Sequence, residues 1–307
     1  MATEVVKVID PDQGTGHDYD SLFDWEAAQQ GDLTGARNEI AVAKCRCTGG
    51  TADTTAIGTE GWTTSATQYI KIWTDPAESY RHNGTYQTGN KFRIDGDDYA
   101  TIYNWADYIS LIGIAMSSSA AASYGCLARA TTGTITIENC IIKGGGAGVG
   151  IGWDFGQNYK IRNTIIFDFD TGLNIAGPAY VYNCTVQNCS GTGYNSLGGT
   201  ILWKNCGAAS CGTGFSGGTQ TTCSSTTPTF VGAGADDFHL ASNDTTWIAA
   251  ATNLYNDANY PFQDDIDGQD RGGAAASWDI GADEYVSAVT DLSIFASECV
   301  GSEGVFG

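Results

Sequence analysis

Apolar and polar positions alternate in short bursts along this chain, and the bursts recur. Asn139, Asn163, Asn183 and Asn205 stand 24, 20 and 22 residues apart, and Gly113 takes the same place 26 residues before Asn139. Two residues before each marker stand Leu111, Ile137, Ile161, Val181 and Trp203; four before stand Ile109, Ile135, Tyr159, Ala179 and Ile201. A period of two predicts a strand with one buried face. Past the marker the apolar phase slips by one. The inward positions become Ile114, Cys140, Thr164, Cys184 and Cys206, then Met116, Ile142, Ile166, Val186 and Ala208. A slip at Asn or Gly predicts a bend through left-handed backbone angles, which these residues tolerate best. A third side follows in "AGVGI", "TGLNI", "TGYNS" and "TGFSG", where a Gly turn precedes Val149, Leu173, Tyr194 and Phe215. Three short strands in a repeat of this length predict an all-β solenoid.

In this register the recurring N-C-x4-C motif of "NCTVQNC" and "NCGAASC" is the edge of the repeat. Cys140, Cys184 and Cys206 fall in one inward stack, Cys189 with Cys211 in a second. Coils stack ~4.8 Å apart, inside the Cα range of a disulfide. Two readings therefore stay open: bridges between Cys184 and Cys206 or Cys189 and Cys211 in an oxidising setting, or buried thiols packing as small hydrophobes. The four Asn markers are read as a structural ladder of stacked amides bonding coil to coil.

A parallel solenoid exposes strand edges at its ends and needs caps. Residues 18 to 33, "DYDSLFDWEAAQQGDL", fit a short amphipathic helix with Leu22, Trp25 and Ala28 on one side and Ser21 or Asp20 as N-cap. The chain then divides into an N-terminal cap with this helix (1–35), parallel β-helix coils (36–235), final coils with a C-terminal cap (236–286) and a separate tail (287–307).

Together with this helix, the opening "VIDPDQGTGHDYDSLFDWEAAQQGDLTGARNEIAVAKC" and "YIKIWTDP" resemble the N-terminal part of right-handed parallel β-helix proteins encoded by tailed phages and environmental bacteria. The closing "PTFVGAGADDFHLA" and "DIDGQDRGGAAASWDIGADEY" resemble the last coils and cap of the same pectate-lyase-like superfamily. The resemblance spans roughly residues 5 to 286, and the right-handedness is implied by it alone. Virion proteins and secreted glycan enzymes share the fold, so it narrows the role only part of the way.

Composition and charge remove further classes. The chain has 41 Gly and 5 Pro, as many strands joined by tight turns require. With 35 acidic against 14 basic residues the net charge is -21, which repels phosphate backbones and anionic membranes. Neither nucleic acid nor membrane is expected as a partner. "MATEVVKVIDPDQGTG" lacks a charged-then-apolar leader, so the chain reads as made in a cytoplasm. Its ten cysteines include no C-x2-C pair, and His17, His82 and His239 are far apart, so no metal and no cofactor are expected. Asp265, Asp267 and Asp270 suggest a calcium loop, yet the Glu at its twelfth position is missing; a turn held by Asp side chains is the preferred reading.

Glycan-cleaving β-helices need clustered carboxylates, or a base beside a cation. From Thr171 to Ala235 there is no Asp or Glu, and Lys204 is the one basic residue. The nearest catalytic candidates are Asp154, Asp168 and Asp170, with Lys160 and Arg162; alternation puts Phe167 and Phe169 inward and the two flanking Asp outward. A glycan-binding surface is expected, if anywhere, at "RIDGDDYATIYNWADY", where Asp95, Asp97, Asp98 and Asp107 lie near Tyr99, Tyr103 and Trp105. "KGGGAGVGIG" lacks the order of a nucleotide-binding loop.

The expectation is a non-catalytic structural protein of a tailed-phage virion, decorating or stabilising the capsid or tail. Its partners would be other virion proteins, with a homotrimer implied by resemblance to phage β-helices. The alternative is a glycan-binding or polysaccharide-cleaving β-helix, tailspike-like or secreted, with a host glycan as ligand.

Overall fold

The repeat markers adopt the backbone their chemistry predicts. φ is 67° at Gly113, 52° at Asn139, 48° at Asn163, 47° at Asn183 and 54° at Asn205. Each bend ends one strand and starts the next, so that successive turns of chain stack in register. The computed structural model describes residues 1–86, 89–96, 98–119, 123–153 and 156–286. Among these, three parallel sheets of nine, six and seven strands wrap a single core as a β-solenoid.

The first sheet runs from Thr3–Ile9 through Tyr108–Ile112, Thr134–Glu138, Asn158–Arg162 and Ala179–Tyr182 to Thr219–Thr221. Its register pairs Ile109, Ile135, Tyr159, Ala179 and Ile201 in one inward row and Leu111, Ile137, Ile161, Val181 and Trp203 in the next. Past the markers, the second sheet stacks Met116, Ile142, Ile166, Val186 and Ala208. All of these side chains are buried, and Thr164 is buried with Cys140, Cys184 and Cys206. Each fully buried aliphatic side chain contributes ~1.5–3 kcal/mol, so the ladder of rungs is the main source of stability.

On the third sheet one expected position moves. Leu173, Tyr194 and Phe215 align with Ile151, while Val149 pairs with Thr171. The glycine that matches Gly172 is Gly150, not Gly148, because the preceding turn is longer. Gly125, Gly150, Gly172, Gly193 and Gly214 form a column in which a Cβ on each of the first four would lie 2.6–2.8 Å from a backbone oxygen of the next coil. No side chain fits there.

The helix α1, Leu22–Gln29, closes the first coil. Ser21 is its N-cap, accepting from Asp24 N at 3.0 Å, and Leu22 and Trp25 are buried in the solenoid core. Ala28, expected on that side, is exposed; Glu26 is buried instead and accepts from Trp62 Nε1 at 3.0 Å. Leu22, Trp25, Glu26 and half-buried Gln29 share the inward face at 3.6 residues per turn, and Ala28 falls outside it. The first strand, Thr3–Ile9, pairs residue for residue with Glu39–Cys45, so the solenoid begins within the stretch expected to be only a cap.

Residues 241–286 add no further rung. After the antiparallel pair Phe230–Gly232 and Asp237–Leu240, the chain turns back along the solenoid as a strap over the corner between the first and second sheets. Leu254, Tyr260, Phe262 and Trp278 cover Tyr180, Tyr182 and Leu202 on the outer face of the first sheet. Phe238, Ile266 and Ala282 cover Ala115, Ile141, Ile165 and Phe167 on the second. Phe167, expected inward, therefore lies outside the coil and 4.8 Å from Phe238, while Phe169 enters the core. The positive φ of Asp168 (60°) breaks the alternation between them.

The Asn markers are buried because the strap runs over them. Asn139 donates to Asp265 O, Asn163 to Asp264 O at 2.8 Å, Asn183 to Asp279 O at 3.1 Å and Asn205 to Thr252 O at 2.7 Å. Of the four, Asn205 also donates from coil to coil, to Asn183 Oδ1 at 3.0 Å. The expected ladder is thus chiefly a docking strip. Arg271, also buried, ties the strap to itself through Glu284 and the carbonyls of Asp264, Gly281 and Ala282. None of the nine described cysteines is in a disulfide; Cys184 donates to Tyr182 O and Cys206 to Val181 O.

Candidate functional site

The expected glycan surface is divided between two faces, because the strand Arg93–Gly96 belongs to the second sheet and Ala100–Asn104 to the third. Asp95 lies on the second sheet and accepts from Tyr86 OH at 2.8 Å, Ser117 Oγ at 2.8 Å and Arg93 Nε at 3.0 Å. With Lys143 and Gly144 these residues line a cleft of about 270 Å³. Burial, the largest cause, raises the Tyr86 phenol well above its ordinary value, so it stays a hydrogen-bond donor. Lys143 is drawn over the rings of Tyr86 and Phe167 and bonds Asp236.

Tyr99, Tyr103 and Trp105 stand on the third side. Tyr99 is 50% exposed and Trp105 40%. The Tyr99 ring lies 6.1 Å from Tyr103, nearly parallel, and 5.2 Å from Tyr124, edge-on; the Arg129 guanidinium sits 4.7 Å over Trp105. This is an aromatic ridge on which Tyr99 and Trp105 keep exposed ring surface. Asp98 caps it by accepting from Tyr99 N at 2.7 Å. Asp107 lends its backbone carbonyl to Thr134 N and Gln157 Nε2, which fixes the next coil. Asp97 lies outside the described residues.

The catalytic candidates are not brought together. Asp168 accepts from Asn188 Nδ2 at 2.6 Å and Asp170 from Ser190 Oγ at 2.8 Å, each reaching one coil onward. Both stand at the bend between the second and third sheets. Lys160 and Arg162 are on the first sheet, under the strap: Arg162 pairs with Glu138 and Asp264 beneath Tyr260 and Phe262, and Lys160 lies 5.5 Å from the Tyr260 ring. Asp154 lies outside the described residues, as does the tail 287–307 with Cys299.

One group of potential metal ligands appears that the sequence reading did not assemble. His239, Asp267 and Asp283 converge from three remote segments, with one ligand atom of each within 4.8 Å of the others. Asp265 borders the group: its Oδ1 accepts from Asp267 N at 3.2 Å and Gln269 N at 2.7 Å, the geometry of an Asp-held turn, and burial, followed by its side-chain bond to Asp267, raises its carboxyl. His239 is raised to about 9, first by the Asp267 carboxylate facing its Nε2 and against the cost of burial. The sequence signal was faint, because 28 residues separate His239 from Asp267 and the strap had to be placed first. Among the described residues no helix is long and apolar enough to cross a membrane.

No protein-family model matches the chain, and no curated protein matches it.

Proposed function

We propose that this chain is a non-catalytic structural protein, a rigid β-solenoid that decorates or stabilises the capsid or tail of a tailed-phage virion. The observation that carries the non-catalytic reading is the employment of its carboxylates. Asp95 spends both oxygens on neighbouring side chains, Asp168 and Asp170 each commit one oxygen to a side chain of the next coil, and among the described residues neither Asp168 nor Asp170 is in an ion pair. A hydrolase needs one carboxyl free to give a proton and another free to activate water or attack. The phage assignment rests on the resemblance of the N-terminal segment, and the partners it implies are other virion proteins, in a homotrimer by the same resemblance. Quantitative mass spectrometry of purified particles tests it: a fixed copy number relative to the major capsid protein is expected. Absence from particles with presence in the medium overturns it in favour of a secreted protein.

A second reading has an observation of its own. The exposed Tyr99 and Trp105 beside Tyr103 and Tyr124 suit a host glycan, bound without cleavage. Calorimetry with host capsule polysaccharide, on the wild type and on Tyr99→Ala with Trp105→Ala, tests that reading; binding lost in the double variant supports it. Release of oligosaccharide fragments by the wild type would overturn the non-catalytic assignment.

A further inference from the structure

His239 belongs to the strand Asp237–Leu240, Asp267 to the 264–270 turn and Asp283 to the closing stretch of the strap. Four features of their meeting point go beyond proximity. His239 Nδ1 is bonded to the Asp237 carboxylate at 2.6 Å, which fixes the ring and turns Nε2 toward the other two residues. A carboxylate on the far nitrogen is the usual support of a metal-bound imidazole. Nε2 stands 3.7 Å from Asp267 Oδ2, close to the ~3.4 Å that bonds of ~2.0–2.1 Å at tetrahedral angles impose on two ligands.

The Oδ1 of Asp267 is buried and receives no N–H donor, and the side chain that bonds Asp267 across the turn is another carboxyl, Asp265, raised first by burial and then by that bond. A carboxylate oxygen in that state is costly unless something fills its coordination. Finally, the chain passes the imidazole as a glycine: a Cβ on Gly84 would fall 2.4 Å from Nε2, so no side chain can stand against that edge of the ring.

We propose that His239, Asp267 and Asp283 bind one divalent transition-metal cation of the zinc class, which fastens the strap to the hairpin that precedes it. Calcium and magnesium favour all-oxygen shells, whereas an imidazole with two carboxylates suits zinc and its neighbours. On binding, the ion replaces the proton on Nε2, which leaves to solvent; the Nδ1 proton stays on the bond to Asp237. Asp283 keeps its second oxygen on Leu240 N at 2.6 Å, so its carboxylate is already oriented. The role is structural. The ion would join three segments that meet only in the folded state, and it would stabilise that state by mass action.

The test uses the full chain, treated with chelator and titrated with zinc by calorimetry and with cobalt(II) by visible absorption. One equivalent is expected to bind, with cobalt d–d bands and no thiolate charge-transfer band, and zinc is expected to raise the melting temperature. His239→Gln and Asp283→Asn are expected to weaken binding at least tenfold, and Asp237→Asn, which removes only the outer support, 10–100-fold. Circular dichroism of each metal-free variant separates lost ligands from lost fold. A thiolate band would move the metal to the cysteine stack, and calcium binding unchanged in His239→Gln would move it to carboxylates alone. Either result, or no binding by the wild type, overturns the proposal.

Discussion

The side-chain amide of Asn205 donates to the side-chain oxygen of Asn183 across one coil, at 3.0 Å, while both residues hold the strap. Asn183 donates to the carbonyls of Asp279 and Gly281, and Asn205 exchanges bonds with Thr252. A single residue type thus turns the chain through a left-handed angle and spends its amide on a segment about 100 residues away, as the separations of 96 and 98 residues for Asn183 show.

Asn183→Ala is therefore expected to cost more than a surface Asn. It removes two donated bonds and the acceptor of Asn205, worth about 1 kcal/mol each, and replaces a residue that tolerates φ 47° by one that does not, at a further ~1 kcal/mol. The expected loss is about 3–4 kcal/mol, and Asn183→Gly, which keeps the backbone angle, is expected to recover about 1 of it. Urea midpoints of the three proteins measure this; equal losses for Ala and Gly would mean that the bend angle carries no cost.

The glycine column makes a second, sharper contrast. A Cβ on Gly172 would lie 2.5 Å from Val186 Cγ1 and 2.6 Å from Gly193 O, both inside the packed coil. Gly146 has φ 92° and nothing within 4 Å of its Cβ position. Gly172→Ala is expected to destabilise by about 2–3 kcal/mol through overpacking, and Gly146→Ala by about 1 through its backbone angle. Thermal unfolding of the two variants checks the order; a larger loss at Gly146 would contradict the packing argument.

Most of the solenoid was legible because its information is periodic and local. Leu111 to Trp203 and Met116 to Ala208 lie on repeats of nearly constant length, and the phase slip at each Asn is visible without any tertiary contact. Val149 and Phe167 were misplaced for a local reason. A longer Gly turn shifts the first by two residues, and a left-handed Asp168 reverses the second. The strap was not legible. It is held largely by bonds to its own backbone carbonyls, and any sequence supplies those. The aromatic ridge was found as a cluster but not as a face, since the bend that sends Asp95 one way and Tyr99 the other follows no repeat.

The cysteines give a third prediction. Burial pushes Cys126 and Cys140 up to about 12, and Cys45, Cys47, Cys184, Cys189 and Cys206 are buried with them. Thiolate is the reactive form, so these seven are expected to be silent toward an aromatic disulfide reagent in the folded protein and to react together on unfolding. Cys211, partly exposed and lowered by its bond from Cys189, is expected to react first of the described thiols. Mass spectrometry of the labelled protein assigns the order; rapid native labelling of Cys140 would mean that the core opens there.

His82 gives the pH dependence. It is buried beneath the strap, donates from Nε2 to Asn139 O at 2.8 Å and accepts at Nδ1 from Gly84 N at 3.3 Å, so both nitrogens are used in the neutral ring. Burial, and then Arg81, lower it to about 3; Lys91 lowers it as well, while the Asn139 carbonyl and Asp267 oppose them. In the unfolded chain the ring takes its proton near pH 6.5. The stabilisation from the neutral ring is therefore complete above about 6.5 and is lost as pH falls toward 3, at ~1.4 kcal/mol per unit. Buried acids such as Asp279 and Glu284 are raised and act in the opposite direction, so the raw slope of the wild type is a sum. The difference from His82→Gln isolates the ring, because Gln can still donate to Asn139 and does not titrate. Urea unfolding at pH 6.5, 5.5 and 4.5 is expected to show the wild type losing about 2–3 kcal/mol relative to the variant over that range. Parallel curves would mean that His82 is charged in the folded protein, and the bond it accepts from Gly84 would then have to be absent.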